Sequence, residues 1–580
     1  MNTALKPMYE WKDIDWRKLE RKVFKLQKRI YQASSRGNVK LVRKLQKLLI
    51  SSRSARALSV RRVTQDNQGK KTAGVDGIKS LTPNLRLTLI NEIKLGSKVK
   101  PTRRVWIPKP GSEEKRPLGI PTMKDRALQA LVKLALEPEW EARFEPNSYG
   151  FRPGRSCHDA VGAIFISIPL KSKYVLDADI SKCFDRINHE VLLKKLNTYP
   201  TLRRQIRAWL KAGVMDGKSL FPTIEGTPQG GVISPLLANI ALHGMEELIM
   251  GLAPKFDMKR PDNTQLSVRD KRKSISLIRY ADDFVIVHEN LEVIKLCKAE
   301  TEKWLSDIGL ELKPSKTRLA HTLNKLEDEE PGFNFLGFNV RQFPVGKYNS
   351  GSRSRGGLLG FKTIITPSKE SQKRHYRKVA EVIDKLRGVS QAILIMKLNP
   401  IIRGWCNYFS TVVSQKIFER LWHLVVWKLL KWGRHRHRNK GRGWTRLKYF
   451  KTLVGNNWAF VTREGKNPLM LIQHSSTEIK RYVKVKGAAS PYDGDWIYWS
   501  SRMGVHPEVT TRVATLLKRQ KGICAHCGNY FTDGDSIEVD HRVPTSIGGR
   551  NSYDNWQLLH RHCHDKKTAF DGSLGKKLAH

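Results

Sequence analysis

Tyr280-Ala281-Asp282-Asp283 stands between two short apolar runs, Ser276-Leu277-Ile278 and Phe284-Val285-Ile286-Val287. Runs of this kind around a tight polar step predict a hairpin. Its turn would lift two adjacent carboxylates out of a sheet. Paired carboxylates suit divalent cations, which take hard oxygen ligands and bridge phosphates; an Asp-Asp turn on its own is usually just a solvated turn. Upstream, Tyr174-Val175-Leu176-Asp177-Ala178-Asp179 reads as a strand with acidic residues at its end, running into a helix from near Ser181. Two-metal phosphoryl transfer needs a third carboxylate from a separate element, and Asp179 is the best candidate. Between the acidic sites lies Gly226-Thr227-Pro228-Gln229-Gly230-Gly231-Val232-Ile233-Ser234-Pro235. A Gly/Pro-rich loop entering an apolar helix is where backbone can approach a nucleotide closely.

A second cluster sits near the C-terminus. Cys524-Ala525-His526-Cys527 is a Cys-x2-Cys knuckle, and His560-Arg561-His562-Cys563 repeats the spacing. Cys524, Cys527, His560 and Cys563 would close a tetrahedral structural Zn²⁺ site, the metal standing in for a core too small to fold alone. His562 is the alternative to His560. Seven cysteines in 580 residues, an odd and scattered set, argue against a disulfide framework and for a reducing compartment, the bacterial cytoplasm.

Positioning these groups takes more than one core, because a chain of this length splits into three or four domains. With 106 Lys and Arg against 54 Asp and Glu, a formal charge of +52, nucleic acid is the natural partner. No apolar run reads as a membrane-spanning helix and the start lacks a signal-peptide core, so no membrane partner is expected. Residues 1–70 hold 19 basic and 5 acidic residues, with Val23, Leu26, Ile30 and Leu41, Leu45, Leu48 at helical spacing. Residues 361–480 hold 25 basic and 6 acidic. Their densest part, Trp432 to Trp444, interleaves Arg434, Arg436, Arg438 and Arg442 with aromatics, the mixture of stacking and phosphate neutralisation that structured RNA favours. The glycine-rich stretch from Arg341 to Gly360 reads as a joint, and Lys486 to Pro491 as a linker.

In order and spacing, the strand ending in Asp179, the loop around Gln229 and the Tyr280–Asp283 turn resemble motifs A, B and C of a reverse transcriptase. The resemblance narrows to proteins encoded by bacterial group II introns. Thr72-Ala73-Gly74-Val75-Asp76-Gly77, Arg104-Val105-Trp106-Ile107-Pro108-Lys109-Pro110, Arg116 to Thr122, Tyr149-Gly150-Phe151-Arg152-Pro153-Gly154-Arg155-Ser156, Gly309 to Thr317 and Phe333 to Phe338 match it in turn. Leu398 to Phe409 resembles the maturase domain. The family implies a multidomain α+β, right-hand polymerase: a basic helical extension (1–70), fingers and palm with an antiparallel sheet (71–345) and an α-helical thumb (361–480). A DNA-binding segment (490–520) and a zinc-containing ββα-metal HNH nuclease (521–580) would follow.

Carried over residue by residue, the resemblance gives Asp179, Asp282 and Asp283 two Mg²⁺ ions, and Lys109 and Arg116 the triphosphate. Gln229 would meet the incoming nucleotide and Phe184 would exclude a ribose 2′-OH. In the terminal module, Glu538-Val539-Asp540-His541-Arg542, Asn555-Trp556 and Cys563-His564 fall in HNH order. His541 would be the general base, Asp540 and His564 would hold one Mg²⁺, and Asn555 would fix the loop orienting His541. His560 is a departure, since many relatives carry Cys there. The implied activity is target-primed reverse transcription. By that resemblance the protein would bind its own intron RNA and assist splicing, nick the bottom strand of double-stranded target DNA, and extend the nick with dNTPs.

Overall fold

In the computed structural model, residues 10–571 are described except 97, 109–113, 218, 228, 260–262, 353–356, 454–455, 463–467, 496–497, 500–501, 503–508 and 533–534. Three helices, Trp16–Ser35, Val39–Ser51 and Arg53–Arg61, open the chain and pack on Met123–Glu141, which is buried over nearly its whole length. Asp15 and Asn38 cap the first two by accepting from the backbone N–H of Lys18 and Leu41. Val23, Ile30 and Leu45 are core residues as their spacing predicts. In the second helix, however, Val42 and Leu49 accompany Leu45 inward, while Leu41 and Leu48 are exposed. The buried stripe runs one position later than the Leu spacing suggests, because Val42 and Leu49 also lie three and four residues from Leu45.

Strands β1 (Thr102–Pro108) and β2 (Lys115–Ile120) form an antiparallel hairpin. The central sheet uses β3 (Tyr174–Asp179), β6 (Ser276–Tyr280), β7 (Asp283–His288) and β8 (Arg318–His321), in the order β6-β7-β3-β8, with every neighbour antiparallel. Short β4 (Val214–Asp216) and β5 (Ser219–Phe221) extend the first sheet beside β1. Successive residues of a strand face opposite ways, and here both faces are covered. Leu176, Ala178, Leu277, Phe284 and Ile286 join the core shared with the N-terminal helices. Val175, Ile278, Val285 and Val287 join a second core with the later helices Lys369–Lys385, Gln391–Phe409 and Gln415–Arg436. That double burial is why β7 reads as an unbroken apolar run.

The glycine-rich stretch after Arg341 lies in the connection of a hairpin. Strand β10 (Phe338–Pro344) pairs with β9 (Phe333–Phe335) and with β11 (Phe361–Pro367), tying the sheet region to the helices. Strands β12 (Phe450–Leu453) and β13 (Asn456–Phe460) form a small hairpin. The chain then returns to the N-terminal half. Tyr492 donates to Glu137 (2.7 Å), Arg155 donates to the carbonyls of Gly487 (2.8 Å) and Ala489 (3.2 Å), and buried Asp159 accepts from Val485 N–H (2.7 Å) and Arg502. The terminal module pairs β14 (Ile537–His541) with β15 (Trp556–His560) and adds helices Thr511–Arg519 and Arg561–Phe570.

Among the described residues one stretch, Ser234–Lys255, is long and apolar enough to cross a membrane, contrary to the sequence expectation, yet 61% of its apolar 18-residue window is buried. It divides into helices Ser234–Leu242 and Met245–Gly251 around Gly244. These are core helices of this fold.

The turn between β6 and β7 has no slack behind it. Ala281 adopts a left-handed φ of 58°, and a Cβ placed on Gly150 would lie 2.3 Å from the Ala281 nitrogen. Gly150→Ala should therefore force turn and loop apart and cost about 1–3 kcal/mol, seen as a lower midpoint of the first thermal-unfolding transition. An unchanged midpoint would show that the two segments slide apart freely.

Candidate active sites

The first site is assembled by register. Asp179 pairs directly with Asp283 across β3 and β7, and Asp282 occupies the two-residue turn joining β6 to β7. The Ile180 N–H donates to the Asp282 carbonyl (3.1 Å), and the Lys313 N–H to that of Asp179 (2.8 Å), fixing both backbones. Three carboxylates thus converge in a half-buried spot. Burial, and then the charges of Asp179 and Asp282, push Asp283 up to about 7. Asp282 is raised as well, chiefly by burial. Such a cluster is short of positive charge, and one cation already answers it: Lys316 Nζ lies 2.6 Å from Asp179 Oδ2. The oxygen-rich, mutually repelling donor set fits divalent metal. Asp177, one residue pair back, is instead bound to Arg318 (3.1 Å), although burial still pushes it up to about 6.

Arg279 holds this corner from behind. It is 1% exposed and donates to Asn239 Oδ1 (3.1 Å), the Ala281 carbonyl (3.1 Å) and Ser148 Oγ (2.8 Å). Asn239 in turn donates to the Gly150 carbonyl (2.7 Å). Sequence reasoning passed over both Arg279 and Lys316. The signal for Arg279 was a lone charge inside an apolar strand, which must find partners or not be buried.

The loop carrying Gln229 closes over the same corner. Its Thr227 N–H donates to the Phe184 carbonyl (2.5 Å), the Gly119 N–H donates to the Gln229 carbonyl (2.6 Å), and Gln229 Nε2 reaches both Asp185 oxygens at 3.2 Å. Phe184 is half-buried and meets the exposed Phe151 edge to face, with centroids 5.9 Å apart. Arg116 lies on β2 opposite Ile107 and acts electrostatically on Asp185 and Asp282. Lys109 lies outside the described residues.

Among the proposed RNA contacts, Arg434, Arg438 and Arg442 are exposed, and Arg442 stacks over Trp427 at 3.9 Å. Arg436 also has an internal task, donating to the carbonyls of Arg387 (3.2 Å) and Val389 (2.6 Å).

In the terminal module, ligand atoms of Cys524, Cys527, His560 and Cys563 all lie within 4.8 Å of one another and the four residues are buried, a donor set that fits zinc. The ring nitrogen belongs to His560. His562 stacks on it (5.2 Å between centroids) and points toward Glu20 (3.7 Å). Asp535 Oδ2 stands 3.4 Å from His560 Nε2, the carboxylate support common behind metal-bound imidazole and one the sequence reading missed. At the other end of the hairpin, Asp540 Oδ1 and His564 Nε2 are 3.7 Å apart, and Gln557 and Lys567 bind Asp540 Oδ2 at 2.8 and 3.1 Å. His541 Nε2 meets both Trp556 Nε1 (3.1 Å) and Asn551 Oδ1 (2.7 Å). The indole can only donate and the amide oxygen only accept, so neutral and protonated imidazole each have a partner. Asn555 clamps the intervening loop, accepting from Val543 N–H (2.9 Å) and donating to the carbonyls of Val543 and Arg550 (2.9 Å each). Gly549 passes so close that a Cβ would lie 1.9 Å from the Val543 oxygen.

Four family models match the chain. They are reverse transcriptase (RNA-dependent DNA polymerase) over residues 107–340, the N-terminal domain of reverse transcriptase over 11–93, the group II intron maturase-specific domain over 372–450, and HNH endonuclease over 524–570. The chain is 34% identical over 305 residues to Protein YkfC of Escherichia coli (strain K12), spanning 48% of this chain and 78% of that protein. It is 28% identical over 429 residues to the group II intron-encoded protein LtrA of Lactococcus lactis subsp. cremoris, spanning 63% and 70% respectively. An uncharacterized 91 kDa protein in a cob intron of Schizosaccharomyces pombe is 29% identical over 382 residues, 56% of this chain and 45% of that one. With the polymerase, maturase and nuclease modules present in one polypeptide, the chain belongs to the group II intron-encoded proteins, as a reverse transcriptase and maturase bearing an HNH endonuclease.

Proposed function

We propose that the corner formed by Asp179, Asp282 and Asp283 is the polymerase centre, in a palm flanked by β1–β2 fingers and a thumb built from the helices between 361 and 480. The observation carrying this reading is the register that sets Asp179 against Asp283 with Asp282 in the adjoining turn. Two Mg²⁺ ions held there would activate the primer 3′-hydroxyl and neutralise the triphosphate and departing pyrophosphate. The chain's own residues do the rest. Arg116 and Lys109 grip the dNTP phosphates, and Gln229, braced on Asp185, lines the base side. The Phe184 ring, buttressed by Phe151, leaves no room for a 2′-OH. Lys316 serves as the counter-ion of Asp179 when the site is free.

Arg434, Arg436, Arg438 and Arg442, with the basic 1–70 extension, bind the intron RNA, and the 490–520 segment helps bring double-stranded target DNA to the nuclease. There His541 would take a proton from water, Asp540 and His564 would hold one Mg²⁺ that supplies charge stabilisation for the phosphate, and the zinc knuckle would be structural. The working compartment is the bacterial cytoplasm, at the nucleoid.

Asp282→Ala should abolish primer extension on an RNA template while leaving intron-RNA affinity within about twofold, because it removes one carboxylate and no surface cation. Retained cDNA synthesis would overturn the assignment.

The raised Asp283 adds a pH dependence. Its proton is held in the free protein because burial and its neighbours disfavour charge, and binding a divalent cation expels it. The Mg²⁺ concentration giving half-maximal extension should fall as pH rises toward and past about 7, and a flat response from pH 6 to 8 would contradict the proton competition.

His541→Ala should abolish nicking of a labelled target duplex and spare extension of a supplied primer. The paired change Cys524→Ser and Cys527→Ser should also abolish nicking, but through unfolding, read as protease sensitivity of the terminal module that His541→Ala lacks. Normal nicking by His541→Ala would reduce the module to a DNA-binding finger.

A further inference from the structure

The zinc knuckle does not hang free of the polymerase. Glu20, on the first helix, binds Arg61 (2.8 Å) with one oxygen and accepts from Asn529 of the knuckle (2.8 Å) with the other. Arg21 donates to the Asn529 side-chain oxygen (3.1 Å). His562 lies edge-on to Trp16, 6.4 Å between centroids. Between helix and knuckle these contacts leave a cavity of about 530 Å³, lined by Arg21, Phe24, Lys25, Lys28, Arg62 and Tyr530 among others. Among the described residues two acids line it, and both are committed: Glu20 to Arg61 and Asn529, and Asp535 to His560 and Thr532. Lys25 and Arg62 are exposed, and among the described residues neither has an ion-pair partner. Cationic rims over an aromatic and aliphatic floor suit a single nucleic-acid strand, whose phosphates take the charge and whose bases take the rings.

We propose that this cleft is the seat for one unpaired strand of target DNA, close to the phosphate that the nuclease cuts. The proposal rests on the reading of His541 as the nuclease centre. DNA is favoured over intron RNA because one wall belongs to the nuclease module itself. The hairpin also sets a distance: His541 pairs with Trp556, and the zinc ligand His560 with Ile537, at the opposite end of the ladder. Four residues of strand span about 13 Å, the length of about four nucleotides at 3.4 Å each. A strand with its scissile phosphate at His541 thus reaches the zinc end, and the cleft beside it, within a few nucleotides.

The test uses the full-length protein with a labelled single-stranded DNA oligonucleotide and, separately, its intron RNA. Lys25→Glu with Arg62→Glu should weaken oligonucleotide binding about tenfold and reduce the slope of log affinity against log salt by about 1.4, for two lost single-strand contacts. Intron-RNA affinity, which the thumb arginines and the other basic residues of the 1–70 extension still supply, should fall by much less than oligonucleotide affinity, and target nicking should fall in parallel with DNA binding. Lys25→Arg with Arg62→Lys should keep the wild-type slope, which separates lost charge from misfolding. Unchanged oligonucleotide affinity and slope would overturn the proposal, as would an equal loss of RNA affinity, which would give the cleft to RNA. Nicking that persists in His541→Ala would sink the nuclease reading alone, since oligonucleotide affinity does not depend on that side chain.

Discussion

The polymerase corner depends on a buried guanidinium. Arg279 spends its charge inside the protein, where an unpartnered cation would cost several kcal/mol, and recovers stability through hydrogen bonds to Asn239, Ser148 and the Ala281 carbonyl. Those bonds hold the Ala281–Asp282 turn against Gly150 and so set where three carboxylates meet. Repulsion among the carboxylates would otherwise open the corner. A buried positive charge behind the turn and a half-exposed one in front, Lys316, let it stay closed.

The same economy recurs where the chain doubles back. Asp159 is wholly buried and is satisfied by Ser156, Val485 and Arg502, while Glu137 accepts from Tyr492. Acidic residues are scarce in this chain, and several are used as internal anchors, leaving most of the basic excess on the outside to meet polyanions.

Much of this was legible in sequence. The hairpin around Asp282, the strand ending in Asp179 and the knuckle at Cys524 and Cys527 were readable because each is local: a turn between β-branched runs, or a fixed spacing of ligands. The ligand spacing named His560, as the structure has it, but left His562 open, since two histidines two positions apart differ only in which way the ring is aimed. The burial of Val42 and Leu49 in place of Leu41 and Leu48 was not legible, because two stripes of similar hydropathy compete and packing against Met123–Glu141 decides. The partnerships of Arg279, Lys316 and Asp535 were hidden for another reason. They join residues far apart in the chain, and no periodicity encodes such a meeting.

The bond between Glu20 and Asn529 joins residues 509 positions apart. At a synthesis rate of about 5–20 residues per second, the helix bearing Glu20 waits roughly 25–100 s for its partner to be translated. Until then Trp16, Glu20 and Arg61 present an unfilled socket beside an otherwise foldable polymerase. Docking of the nuclease module against the first helix is therefore a late event, completed only after residue 529 has been made.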